Sequence, residues 1–372
     1  MLVDERMVKL AKGLVNYSCV LKKGEKVLIE AWGVPIEMIN VLIREVYAVG
    51  AYPFVEYSEN RIKRELLMGA SDEMLAAWAK YDSYRMDDMD AYIGLRGGNN
   101  SLETCDVPGD KMDAFTRIYQ HPVHHERRVC KTKWVILRWP TEGMSQLAKM
   151  STEAFENMYF NVCTLDYAKM NKAMDAMAEY MAKTDKVRIV SPDTDLTFSI
   201  KGIGSQKCSG EMNIPDGEIY TAPVKNSVNG VIHYNTPSIE NGIEFKDVRL
   251  VFKDGKIIEA TANDTAAANK IFDTDEGARY VGEFSFGLNP YIHNAIGDIL
   301  FDEKICGSIH FTPGCCYDDC DNGNVSAVHW DLVLVQTPAY GGGEIYFDDV
   351  LIRKDGRFVV PELECLNPEN LI

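Results

Sequence analysis

The sequence predicts an α/β domain with a parallel sheet over residues 1–185, followed by a mostly antiparallel β domain over residues 186–372. In the first part, strand-like apolar runs alternate with amphipathic stretches at helical spacing. Such alternation implies βαβ units, whose crossovers make neighbouring strands parallel. After Asp185 the texture changes to short alternating runs broken by turn signals, the habit of antiparallel strands. Length agrees with the division, because 372 residues exceed what one hydrophobic core comfortably serves.

Taken in order, "EKVLIEA" (25–31) reads as a buried strand, "IEMINVLIREVYAVG" (36–50) as an amphipathic helix and "YPFVEY" (52–57) as a second strand. "SDEMLAAWAKY" (71–81) has helical period, while "DAYIGLRG" (90–97) and "KWVILRW" (133–139) are short apolar runs of the kind a parallel sheet buries on both faces. The helix "YAKMNKAMDAMAEYMAKT" (167–184) closes this half. Beyond it come "KVRIV", "DLTFSI" and "DVRLVFKDGKIIEATA". In the last of these, Asp254-Gly255 predicts a hairpin, since a tight hairpin turn favours residues that tolerate positive φ, and "IRKDGRFVV" repeats the signal. One further helix is expected from about Asn263 to Tyr280, and no internal repeat interrupts the pattern.

Composition narrows the partners. The chain has 46% apolar residues and a net charge of −17, from 39 Lys plus Arg against 56 Asp plus Glu, which disfavours nucleic acid or an anionic membrane as the main partner. The opening "MLVDERMVKLAKGL" carries acids and no long apolar run, unlike a signal peptide, and no stretch reaches transmembrane length. Ten cysteines without Cys-x-x-Cys pairs fit a reducing cytoplasm. The cluster "CCYDDC" (315–320) stands out, but it lacks a second cysteine pair for zinc or iron-sulfur binding and reads as loop thiols.

Two segments imitate known motifs. "GLRGGNN" (94–100) follows a strand and could cradle a phosphate, yet its glycine spacing matches neither the dinucleotide fingerprint nor a P-loop, so it reads as an ordinary loop. "HPVHHERR" (121–128) suggests a His-Glu-x-x-His zinc helix, but Val129 stands where the second histidine belongs. It reads as a surface helical segment, or less often as the wall of a cleft.

In "VSAVHWDLVLV" (325–335), His329 and Asp331 lie two apart in a run that reads as a buried strand, so they share a face with Trp330 opposite. An ionised aspartate facing a core requires a metal ion or a hydrogen-bonded histidine, and this segment alone leaves both open. More such groups crowd the second half: Glu218 in "NIPDGEIYTAP", Glu283 in "DEGARYVGEFSFGLN", Glu303 and His310 in "GDILFDEKICGSIHF", and Tyr317 in "GCCYDD". Each alone is an ordinary solvated or satisfied residue. Together, four carboxylates and two imidazoles suit two divalent ions, which need a bridging carboxylate and can activate a shared water.

With these motifs in this order, joined by "GEKVLIEA", "EVYAVGAYPFVEY", "KWVILRWPT", "ILFDE" and "SAVHWD", almost the whole chain resembles the aminopeptidase T family, the thermophilic-type leucyl aminopeptidases. The resemblance implies a cytoplasmic homodimer that removes N-terminal residues from short peptides with a free N-terminus, using two divalent ions such as zinc, cobalt or manganese. It implies Glu218 and Asp331 on one ion, Glu303, His310 and His329 on the other, and Glu283 bridging. Tyr317 would steady the tetrahedral intermediate through its hydroxyl. Glu303 would serve as general base only if it ligates weakly. The Glu303–His310 interval is longer, and the Tyr317–His329 loop shorter, than is usual in the family. Two other readings stay open. His310, His329 and Asp331 alone would make the 2-His-1-carboxylate face of a mononuclear iron ring-cleaving dioxygenase, which leaves Glu218 and Glu283 without a partner. A non-catalytic binding protein would have no use for so complete a ligand set.

Overall fold

Parallel strands form where the sequence has its continuous apolar runs: β1 (Lys26–Trp32), β2 (Tyr52–Ser58), β3 (Ala91–Arg96) and β4 (Lys133–Arg138). The structure, a computed structural model, describes residues 4–100 and 102–372, so the first three residues of the N-terminal stretch lie outside the described residues. The strands lie in the order β2-β1-β3-β4, with the short strand Asn213–Ile214 beside β4, and every pairing is parallel. Val27, Leu28, Ile29 and Ala31 of β1 are fully buried, as a strand covered on both faces requires. β2 is an edge strand, which is why it tolerates Pro53. The helix read over 71–81 runs from Asp72 to Met86, and the Ser71 side chain caps it by accepting from the Met74 N–H.

The strand order reverses between β1 and β3, because β2 lies on one side of β1 and β3 with β4 on the other. The loops leaving these two strands touch at their carboxyl ends. A Cβ on Gly97 would lie 2.5 Å from the carbonyl oxygen of Gly33, so only glycine permits the approach.

The chain divides into two compact units, Met1–Thr164 with Gly210–Pro215, and Leu165–Ser209 with Asp216–Ile372. This division differs from the sequence-based boundary near residue 185 in two ways: the helix Tyr167–Met181 joins the second unit, and Gly210–Pro215 joins the first. Its buried face carries Met170, Met174, Met177 and Met181, while Tyr167 Oη accepts from the Asp216 N–H at 2.9 Å and Asn171 Nδ2 donates to Ser209 Oγ at 2.6 Å. Helical periodicity shows that a face is buried but not which sheet buries it.

The second unit holds an eight-stranded antiparallel sheet running from Lys256–Thr261 at one edge to Arg357–Phe358 at the other. Both expected hairpins form, with positive φ at Asp254 (48°) and Gly255 (86°), and at Asp355 (49°) and Gly356 (79°). A five-stranded antiparallel sheet has the order Val333–Val335, Ser308–Pro313, Val281–Gly287, Glu218–Thr221, Gln206–Cys208. A phenylalanine layer joins the two sheets. Phe198 packs 5.0 Å from both Phe284 and Phe311, and Phe286 lies 6.1 Å from Phe347 and 5.8 Å from Phe358. One face of the smaller sheet is thus committed to the core, and polar side chains of its strands gather on the other.

Two elements are shorter than the sequence suggests. The helix expected over Asn263–Tyr280 ends at Phe272. Beyond it, the Asp275 carboxylate accepts from the backbone N–H groups of Ala278 and Ala327 and from Ser326 Oγ, which ties the chain to another segment. In the 325–335 run only Val333–Val335 is ladder, and His329 makes an isolated bridge to Gly314. Alternation survives without the ladder: Trp330 is buried between Phe245 and Phe272, and His329 and Asp331 meet on the opposite side.

Candidate metal centre

The site grows from period-two alternation on Val281–Gly287. Phe284 and Phe286 enter the phenylalanine layer, which leaves Glu283 and Ser285 on the other face. Ser285 lies opposite His310 and Gly287 opposite Glu218, so three adjacent strands place Glu218, Glu283 and His310 side by side. Glycines admit the fourth segment. A Cβ on Gly282 would lie 2.2 Å from the Cys315 carbonyl oxygen, and one on Gly314 (φ 113°) 2.0 Å from that of Val328.

Both histidines are oriented by backbone carbonyls. His310 Nδ1 lies 3.2 Å from the Glu303 carbonyl oxygen and His329 Nδ1 2.8 Å from that of Cys315. A carbonyl can only accept, so each Nδ1 carries its hydrogen and each Nε2 faces the cluster. His310 Nε2 is 3.0 Å from Glu283 Oε1 and 3.2 Å from Glu218 Oε2, while His329 Nε2 is 3.3 Å from Glu283 Oε2 and 3.4 Å from Asp331 Oδ1. His329 Nε2 is buried and, despite these two nearby oxygens, makes no hydrogen bond among the described residues. Thr312 donates to Asp331 Oδ1 at 2.8 Å, and Ser285 Oγ donates to Glu218 Oε2 at 3.3 Å.

Charge is far from balanced by fixed cations. Four carboxylates, Glu218, Glu283, Glu303 and Asp331, gather here, and among the described residues the one lysine or arginine that pairs with any of them is the buried Lys304, on Glu303 and 3.4 Å from Glu218 Oε1. Burial alone would lower both imidazole pKa values, but the neighbouring carboxylates override it and push His310 up to about 10 and His329 up to about 11. Glu303 is pushed up to about 8 by burial, reinforced by Glu218 and Asp331 against the pull of Lys304. Each Nε2 therefore calls for a positive charge between itself and its carboxylates, and divalent cations suit these nitrogen and oxygen donors. The residues fit a metal centre.

Ligand atoms lying within 4.8 Å of one another form the groups Glu218–Glu283–His310, Glu283–His329–Asp331, Glu303–His310–Asp331 and Cys208–Asp216–Glu218. All six ligands expected from the sequence are therefore brought together, and Glu218, Glu283, His310 and Asp331 each belong to two groups. The groups overlap: one joins Glu303 to His310, as the family resemblance implies, while among the described residues none joins Glu218 to Asp331 or His310 to His329. Tyr317 sits at the exposed rim, 46% accessible, with its ring 4.9 Å from that of His329 and 5.4 Å from that of Tyr220. The "CCYDDC" cysteines are free thiols, and Cys315 serves the site through its backbone carbonyl. Sequence reasoning missed Lys304, Thr312, Ser285 and the neighbouring Cys208 and Asp216. A lysine after an acidic pair carries no signal of burial.

A family model described as thermophilic metalloprotease (M29) matches residues 3–358. The chain belongs to that family. Among relatives, "Aminopeptidase 2" of Geobacillus stearothermophilus is 31% identical, with 95% of each chain covered. Among solved structures, wild-type AmpT from Thermus thermophilus superposes with a TM-score of 0.79 at 20% identity, covering 96% of this chain and 99% of that one. A dihydroxypyridine dioxygenase from Pseudomonas putida KT2440 shares the fold with a TM-score of 0.60 at 11% identity, covering 96% of this chain and 98% of that one. The expected kinship with the aminopeptidase T family and the expected fold class are both borne out. Among the described residues no helix is long and apolar enough to cross a membrane.

Proposed function

We propose that this protein is an aminopeptidase that releases the first residue of short peptides at a centre of two divalent ions. The observation that carries the reading is the pair of histidines whose Nε2 atoms face opposite oxygens of one shared carboxylate, Glu283. Glu218, Glu283 and His310 would hold one ion, and Glu283, His329 and Asp331 the other. Ions of the zinc, cobalt or manganese type would there lower the pKa of a shared water and polarise the scissile carbonyl. The names of the relatives, aminopeptidases across nearly the full length, support the same activity.

The chain's own groups have definite tasks. Glu303 also lies within ligand distance of His310 and Asp331, but this assignment leaves it off both ions and on Lys304. Its carboxylate takes the proton of the attacking water and returns it to the leaving amine. Tyr317 Oη has no hydrogen-bond partner among the described residues, and it donates to the oxygen that becomes negative at the tetrahedral stage. Tyr317→Phe should therefore lower turnover by about 10² while leaving the bound metal unchanged, read by steady-state kinetics beside metal analysis. Unaltered turnover would remove Tyr317 from the mechanism. Iron ring cleavage fits less well, since His310 and His329 fall in separate ligand groups.

A cleft rich in carboxylates attracts a terminal ammonium and repels a terminal carboxylate. Unblocked di- to pentapeptides should lose their first residue, and the same peptides should resist after N-acetylation, which removes the charge. Chelation should abolish hydrolysis and a divalent metal restore it. Equal cleavage of acetylated peptides would refute the aminopeptidase reading.

A further inference from the structure

The first unit contains a buried cluster of cations with too few partners, and it shares no residue with the metal centre. We propose that it is a second ligand site, for a small molecule carrying a phosphate or carboxylate group on a flat ring. The cluster lies at the carboxyl ends of β1 and β3, where the strand order reverses, and open α/β sheets bind ligands in the crevice at such a point.

Glu30 organises the cations. Its carboxylate accepts from Arg128 Nη2 at 2.7 Å, from Arg96 Nη2 at 2.5 Å and from the Tyr92 hydroxyl at 2.6 Å. One carboxylate thus faces two guanidinium groups, and Lys63 adds a third positive charge to the same cavity. Among the described residues the Lys63 ammonium makes no hydrogen bond or ion pair; it lies over the rings of Trp32 and Phe115, at 5.2 and 5.1 Å from their centroids. Arg128 is 4% exposed and lies over the Tyr92 ring at 4.5 Å, and among the described residues only one of its five side-chain N–H groups makes a hydrogen bond, to Glu30. Its Nε is buried without a partner. Buried donors are rarely left unmade, and surplus buried positive charge calls for an anion.

The remaining walls are aromatic. Trp78 and Tyr119 lie 4.4 Å apart, and Phe115 stacks on Tyr119 at 5.0 Å. The cavity measures about 190 Å³. A cavity of roughly 150 Å³ accommodates benzene, so this one takes a single ring with a charged group turned to the cations. Arg96 comes from the "GLRGGNN" segment and Arg128 from "HPVHHERR", so both motif imitations supply a residue of this site.

Titration calorimetry on the metal-loaded full chain tests the proposal, with phenyl phosphate, benzoate and inorganic phosphate as probes. Phenyl phosphate or benzoate should bind, the stronger of the two identifying the anionic group, and inorganic phosphate should bind about tenfold more weakly because it lacks the ring. Lys63→Met should weaken binding of the preferred probe about tenfold or more, whereas Lys63→Arg should retain it and peptide hydrolysis should be unchanged in both. Circular dichroism verifies that the variants fold. Absence of binding by both ring-bearing probes at millimolar concentration would overturn the proposal. So would affinity unaffected by Lys63→Met, since the anion would then be sitting elsewhere, for instance on the metal ions.

Discussion

Glu283→Gln is expected to reduce peptide hydrolysis by roughly three orders of magnitude and to lower metal content at both positions together. Its two carboxylate oxygens lie 3.0 Å from His310 Nε2 and 3.3 Å from His329 Nε2, in a residue only 3% exposed. An amide supplies one acceptor oxygen and turns an NH₂ group toward one of the two imidazoles. It also removes the negative charge common to both ligand groups. No other expected ligand faces both histidines through separate oxygens. Kinetics and metal analysis on the same preparation check this, and a Gln variant with ordinary metal content and near-normal turnover would end the bridging assignment.

Glu303→Gln should behave differently. As proton carrier rather than ligand, Glu303 can lose its charge without emptying the centre, so turnover should fall by about 10²–10⁴ with metal retained. Lys304 keeps Glu218 as a partner at 3.4 Å, which limits the structural damage. Loss of about half the bound metal in this variant would instead make Glu303 a ligand, as the family resemblance implies.

The legible part of the fold was local. Continuous apolar runs gave away β1, β3 and β4, and the Asp-Gly pairs at 254–255 and 355–356 marked hairpins because their backbone needs are met by few residues. What periodicity could not reveal was allegiance: the methionine face of Tyr167–Met181 reads the same whichever unit buries it. At the site, the sequence named residues that the structure brings into one cluster. Its grouping depends on strand register, which sets Glu218 across from Gly287 and His310 across from Ser285. Lys304 was invisible because burial of a lysine depends on carboxylates brought from distant segments. Arg96 and Arg128 were set aside for the same reason, since neither loop nor helix pattern shows that both guanidinium groups converge on Glu30.

The central claim is that this cluster holds two divalent ions rather than one. Elemental analysis of the purified chain, stripped by chelation and then titrated with zinc, cobalt or manganese while hydrolysis of an unblocked dipeptide is followed, tests it most directly. The account predicts that metal saturates at two ions per chain and that full activity coincides with the second equivalent. Saturation at one ion with full peptidase activity would contradict it, as would a single iron supporting oxygen uptake without hydrolysis.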